Sequence, residues 1–108
     1  MSQKEILIHR NNIARLFRFS SKMHRNCIRI NSGNTLAHEL AKFEQCWKLA
    51  QEGHEFLTEA EFEHPFKLRA DVVDLDSGIV YEIVKSEGEK SIEMKKEKYP
   101  LPVEVVRI

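Results

Sequence analysis

The sequence predicts a small α/β domain over Asn34–Ile108, with elements in the order helix–strand–strand–strand–helix–strand. Three observations predict it. Apolar residues recur at helical spacing from Leu36 to Ala50. Two β-rich runs, Leu68–Leu75 and Ile79–Lys85, flank a glycine turn. A charged helical stretch stopped by Pro100 and Pro102 then leads into a last apolar run.

Each element has its own warrant. Before the domain, Ile6, Leu7, Ile8, Ile13, Leu16, Phe17 and Phe19 fit one amphipathic helix, and Asn31-Ser32-Gly33-Asn34 is a turn that sets the boundary. Residues 1–33 are thus a basic N-terminal arm or helix and 34–108 the domain. The domain's first helix runs from about Thr35 to Glu52, capped by Asn34 or Thr35 and closed by Gly53. Leu36, Leu40, Phe43, Trp47 and Ala50 form its expected buried stripe. Phe56–Glu63 reads as a strand with Phe56, Thr58, Ala60 and Phe62 on one face and Leu57, Glu59, Glu61 and Glu63 on the other. Asp76-Ser77-Gly78 joins the next two strands as a hairpin. Ser86 and Glu89 have capping-box spacing, which opens a short helix to about Tyr99. Val103–Ile108 is the final strand, returned to a mixed sheet by that crossover helix.

Composition narrows the class. The 108 residues suffice for one modest core. The apolar runs are too short for a transmembrane helix, and the Arg-, His- and Asn-broken start is no secretory signal. Cys27 and Cys46 have neither disulfide-framework nor zinc spacing, which points to a reduced cytoplasm. The zero net charge hides a polarity. Met1–Asn34 holds seven Lys or Arg against one acid, and Thr35–Ile108 ten against sixteen. Arg10, Arg15, Arg18, Lys22, Arg25 and Arg29 are therefore candidate phosphate contacts, unless the basic segment pairs with the acidic body.

The hairpin carries the chemistry. Pairing Leu75 with Gly78 sets Asp71 opposite Glu82, with Cβ atoms roughly 4.5–5.5 Å apart. Like charges so placed destabilise a sheet, and a divalent cation with hard oxygen ligands would reverse the repulsion. The alternatives are that one carboxylate reaches solvent or pairs with Arg69 or a helix lysine. Glu39 lies ~60° from the centre of the first helix's stripe, at ~100° per residue, and so approaches the sheet. Glu59 and Glu61 are reserve candidates. The five histidines show no ligand spacing, and Lys90, Lys95, Lys96 and Lys98 read as a solvated face.

With these segments in order — Ala37-His38-Glu39-Leu40-Ala41-Lys42, Thr58-Glu59-Ala60-Glu61-Phe62, Arg69-Ala70-Asp71-Val72-Val73 and Tyr81-Glu82-Ile83-Val84-Lys85-Ser86 — the chain resembles the PD-(D/E)XK nucleases. Within that restriction-endonuclease-like fold it resembles the archaeal Holliday-junction resolvases and their small relatives. The resemblance covers Asn34–Ile108. It implies a Mg²⁺- or Mn²⁺-dependent endonuclease acting on DNA, branched DNA included, with Asp71 and Glu82 as metal ligands. It further implies Glu39 and Lys85 as catalytic partners, and a homodimer, since a four-way junction has two symmetric cleavage points. The pattern departs at the lysine. Residues i and i+2 share a strand face, but Val84 stands two after Glu82 and Lys85 three after. A bulge near Ile83–Val84 would realign Lys85; otherwise Lys67, Lys42 or Lys95 would have to substitute. A nuclease-fold protein that binds nucleic acid without cutting it, and a protein-interaction module, are the alternatives.

Overall fold

The computed structural model describes residues 1–65 and 68–108. Among the described residues it holds helices α1 (Gln3–Ala14), α2 (Phe19–Lys22), α3 (Leu36–Gln51) and α4 (Glu89–Lys98). The strands are β1 (Phe56–Glu61), β2 (Arg69–Asp74), β3 (Val80–Val84) and β4 (Val103–Arg107). The strands form one mixed sheet in the order β1-β2-β3-β4, with β4 parallel to β3 and the other pairs antiparallel. No described helix is long and apolar enough to cross a membrane.

Each sheet face has its own cover. One packs Leu57, Ala60, Val73, Leu75 and Val80 with Ala14, Phe17 and Tyr99 from the N-terminal segment and the end of α4. On the other, Phe56 and Val72 meet Cys46 and Leu49 of α3. Burial pushes the Cys46 thiol up to about 12, so it is an inert apolar filler.

The N-terminal segment differs from the expected single helix. Ser2 and Glu5 close a capping box on α1, with the Ser2 Oγ accepting from the Glu5 N–H at 3.1 Å. The helix stops at Ala14 because Phe17 leaves it to enter the core beside Phe62, ring centroids 4.3 Å apart. From there the chain follows the outer edge of β1. Arg18 N–H donates to Glu61 O, Glu63 N–H to Leu16 O, and Asn26 N–H to Phe56 O, each at 2.8 Å. These bonds satisfy an edge that would otherwise present unpaired backbone groups.

Helix α3 has the expected bounds, with the Thr35 Oγ1 accepting from His38 N–H and Gly53 at φ 76°. Its buried side is another one. Lys42, Cys46 and Leu49 are buried, whereas Leu36, Leu40, Phe43 and Trp47 are 75, 58, 52 and 57 % exposed, and Ala50 is exposed too. Periodicity locates an apolar stripe but does not say what covers it.

Two further expectations fail locally. Gly88, not Ser86, is the N-cap of α4, and no side chain caps it. Glu59 adopts φ 47°, which breaks the alternation of β1 and turns its carboxylate to the α3 side, where Thr58 also points. The hairpin keeps the expected register, Val72 opposite Tyr81 and Val73 opposite Val80. Gly78 closes it at φ 77°, with its N–H on Asp74 O at 2.8 Å.

Candidate functional site

The β2–β3 ladder ends at Val72–Tyr81. One step further, the Asp71 side chain takes the place of a backbone acceptor, and its Oδ2 receives the Ile83 N–H at 2.8 Å. That bond draws the carboxylate into the gap where the strands part. There it meets Glu82, to which it is hydrogen-bonded. Two carboxylates can share such a bond only if one holds a proton.

Glu82 holds it. Burial is the largest cause; its 4 % exposure, the hydrogen bond to Asp71 and the Asp71 charge push its pKa far above the carboxylate range. The Tyr99 hydroxyl and the Lys95 ammonium pull the other way and are outweighed. The hydroxyl makes hydrogen bonds both to Glu82 Oε1 and to Arg69 O, the latter at 3.1 Å. A phenol has one proton for two acceptors, so a protonated Glu82 supplies the second.

The α3 side of the site has the opposite character. Burial disfavours the Glu39 carboxylate, but hydrogen bonds from Lys42, Asn34 and Asn31 and the Lys42 charge overcome it and hold the pKa down at about 2. Lys42, with no exposed surface, places Nζ 2.7 Å from Glu39 Oε2, 3.6 Å from Glu59 Oε2 and 2.8 Å from Arg29 O. Asn31 adds its N–H to Glu39 at 3.2 Å and its side-chain amide to Glu59 at 2.8 Å. Glu59 Oε2 is the one buried side-chain oxygen without a hydrogen bond among the described residues. His38 links the two halves, with Nδ1 3.3 Å from Glu39 Oε1 and Nε2 3.4 Å from Asp71 Oδ2.

The structure therefore brings Asp71 and Glu82 together and sets Glu39 one histidine away. It does not bring Lys85. Register between β3 and β4 runs unbroken from Val80–Val103 to Val84–Arg107, so no bulge turns Lys85 inward, and that residue is exposed past the strand's end. Of the substitutes, Lys67 lies outside the described residues, and Lys42 serves Glu39 and Glu59. Lys95 remains. Its Nζ donates to Glu87 at 2.6 Å. Burial lowers its pKa, but that hydrogen bond and the carboxylates of Glu82, Glu87 and Asp71 outweigh it and raise the value.

Three of the six basic candidates are engaged within the fold. Arg10 binds Asp76 at 3.0 Å, Arg18 binds Glu61 at 2.7 Å, and Arg25 binds Glu55 at 3.3 Å. Arg15, Lys22 and Arg29 have no side-chain ion pair among the described residues. Tyr99 and Asn31 escaped the sequence reading, because each acts on an acid far away in the chain with no short-range motif. Lys42 left one sign, its i,i+3 spacing from Glu39.

A second metal-capable group, His54, Asp74 and Asp76, has ligand atoms within 4.8 Å of one another. Its oxygens are spoken for. Asp76 takes Arg10 Nε at 3.0 Å and Glu55 N–H at 2.8 Å. Asp74 takes Asp76 N–H at 2.9 Å and Ser77 Oγ at 2.8 Å. This cluster builds the hairpin turn. Comparison with family models, curated proteins and solved structures returns no match for the chain.

Proposed function

We propose that this chain has a restriction-endonuclease-like fold of the PD-(D/E)XK kind and is a metal-dependent endonuclease acting on DNA. The observation that carries the reading is the meeting of the part-buried Asp71 carboxylate, held by the Ile83 N–H at 2.8 Å, with the buried Glu82 side chain at the parting of two strands. Two carboxylates that converge in this way offer hard oxygens to a divalent cation, since Mg²⁺ is bound through one or two carboxylates. Asp71 and Glu82 would hold Mg²⁺ or Mn²⁺, and the ion supplies activation of water and stabilisation of charge at the scissile phosphate.

The chain's own groups prepare that site. The Ile83 N–H fixes Asp71, and the Tyr99 hydroxyl fixes Glu82. Glu39, itself clamped by Lys42, holds His38 against Asp71. Lys95 sets a cation near both acids and takes the part the resemblance gives to Lys85. The experiment is cleavage of labelled duplex, single-stranded and four-way-junction DNA in Mg²⁺ or Mn²⁺. Activity lost in Asp71→Ala and Glu82→Ala, reduced in Lys95→Ala and unchanged in Lys85→Ala supports the reading.

The exposed Lys85 also favours a second reading, a non-cutting relative that binds nucleic acid or another protein. Absence of cleavage by the unaltered chain on all three substrates decides for it.

A further inference from the structure

The apolar side of α3 faces solvent. Leu36, Leu40, Phe43, Trp47 and Ala50 repeat at steps of four, three, four and three, the spacing of a helix–helix seam. At ~100° per residue this stripe lies roughly 110° round the helix from Lys42, Cys46 and Leu49, which face the sheet. Phe43 and Trp47 already stack on each other, with centroids 6.4 Å apart and planes 19° apart. Ile30, between two residues tied to Lys42 and Glu39, is 81 % exposed beside it.

We infer that this face is the seam of a homodimer in which α3 packs antiparallel on α3 of a second copy. Three features select that occupant. The first is self-complementarity. Measured from Phe43, the stripe extends seven and three residues one way and four and seven the other, so it reads nearly the same when reversed. A two-fold axis at Phe43 sets Phe43 on Phe43, Leu40 on Trp47, and the bulky Leu36 on the small Ala50, the isologous pattern that closed symmetry requires. Antiparallel helices also oppose their macrodipoles favourably.

The second is area. At roughly 200 Å² for a large apolar residue, the exposed fractions amount to about 500 Å² on one copy, near the top of the range for the largest patch on a monomer. Two copies would bury about twice that, and the polar rim brings the total to the ~1,200 Å² at which specific interfaces begin.

The third is charge. The chain has zero formal net charge, so copies do not repel one another at long range. Glu44 and Lys48, the exposed ion pair beside the stripe, are 3.5 Å apart and balance locally. A helix lying on an anionic membrane carries a Lys- and Arg-rich polar face, which α3 lacks.

Trp47 is the sole tryptophan, so its emission reports this face directly. Sedimentation of the full chain from low concentration to about 100 µM should show a monomer–dimer equilibrium, with Trp47 emission moving to the blue and losing iodide quenching as the mass rises. Phe43→Glu should weaken association by roughly 100-fold while leaving the melting curve of the monomer in place. Leu40→Lys provides the same test should Phe43→Glu fail to fold. In a Cys27→Ser background, Phe43→Cys should cross-link to itself on oxidation and Leu36→Cys should not. A monomer throughout that range overturns the inference and leaves the face to a different protein. So does a dimer whose Trp47 stays quenchable, and equal cross-linking at both cysteines overturns the antiparallel order.

Discussion

A carboxylic acid buried beside another, with a phenol against its oxygen, keeps its proton through neutral pH, and Glu82 is in that position. The sign of the resulting pH dependence follows. An unfolded Glu titrates at about 4.3, and the folded value is raised, to about 9. Between the two the native state binds the extra proton, so this contribution to stability is complete below the lower value and is lost as pH rises towards the upper. Glu82→Gln keeps the shape without the titration, and its melting temperature should exceed that of the unaltered chain at pH 8.5 and match it at pH 4. Equal pH profiles for the two would refute a protonated Glu82. Metal binding runs against the same proton. Mn²⁺ should raise the melting temperature more at pH 8.5 than at pH 6, releasing about one proton per ion. In calorimetry that release appears as a dependence of the heat on buffer ionisation. Asp71→Ala should abolish both effects, and a melting temperature indifferent to millimolar Mn²⁺ in the unaltered chain speaks against a metal role. Lys42 is the other sensitive residue. Removing its ammonium leaves the buried Glu59 and the part-buried Glu39 without their cation, so Lys42→Ala should cost about 3–5 kcal/mol in chemical denaturation.

Helix α3 illustrates what a sequence can and cannot disclose about an element. Its ends were legible because caps are local: Thr35 accepts from His38 N–H three residues on, and Gly53 supplies the positive φ that ends the helix. Thr35→Ala should lower stability by about 1 kcal/mol, measured by denaturant midpoint at constant slope. Its orientation was not legible. The half of α3 that meets the sheet reads His38, Glu39, Lys42, Cys46, Leu49, a polar run that becomes buriable only because Glu59, Asn31 and Asp71 arrive from elsewhere to satisfy it. The hairpin was readable for the opposite reason. A glycine turn and the period of two fix register over a few residues, and so Asp71 and Glu82 could be paired in advance. Tyr99 and Lys95 reach that pair across thirteen or more residues, where no local pattern records the meeting.

Across the whole molecule, the charge polarity of the sequence is in part an internal matter. Arg10, Arg18 and Arg25 bind Asp76, Glu61 and Glu55, which leaves Arg15, Lys22 and Arg29 as the segment's unpaired cations apart from Lys4 among the described residues. If these three meet phosphate, replacing them by Glu should weaken DNA binding and reduce the slope of log affinity against log salt by about 3, as read by fluorescence anisotropy. An unchanged slope would make the segment purely structural. The way that segment lies along β1 also decides how it can be studied. Cutting away residues 1–30 would remove charge, but it would also strip Leu16, Arg18 and Asn26 from the outer edge of β1 and Phe17 from the core. Among the described residues, the outer side of β4 has no strand beside it either. A shortened chain would then expose two open edges on one twisted sheet, able to join head to tail without closing. Turbidity and fibre formation are the expected fate of such a truncation, and point substitutions at Arg15, Lys22 and Arg29 are the way to ask what the segment binds.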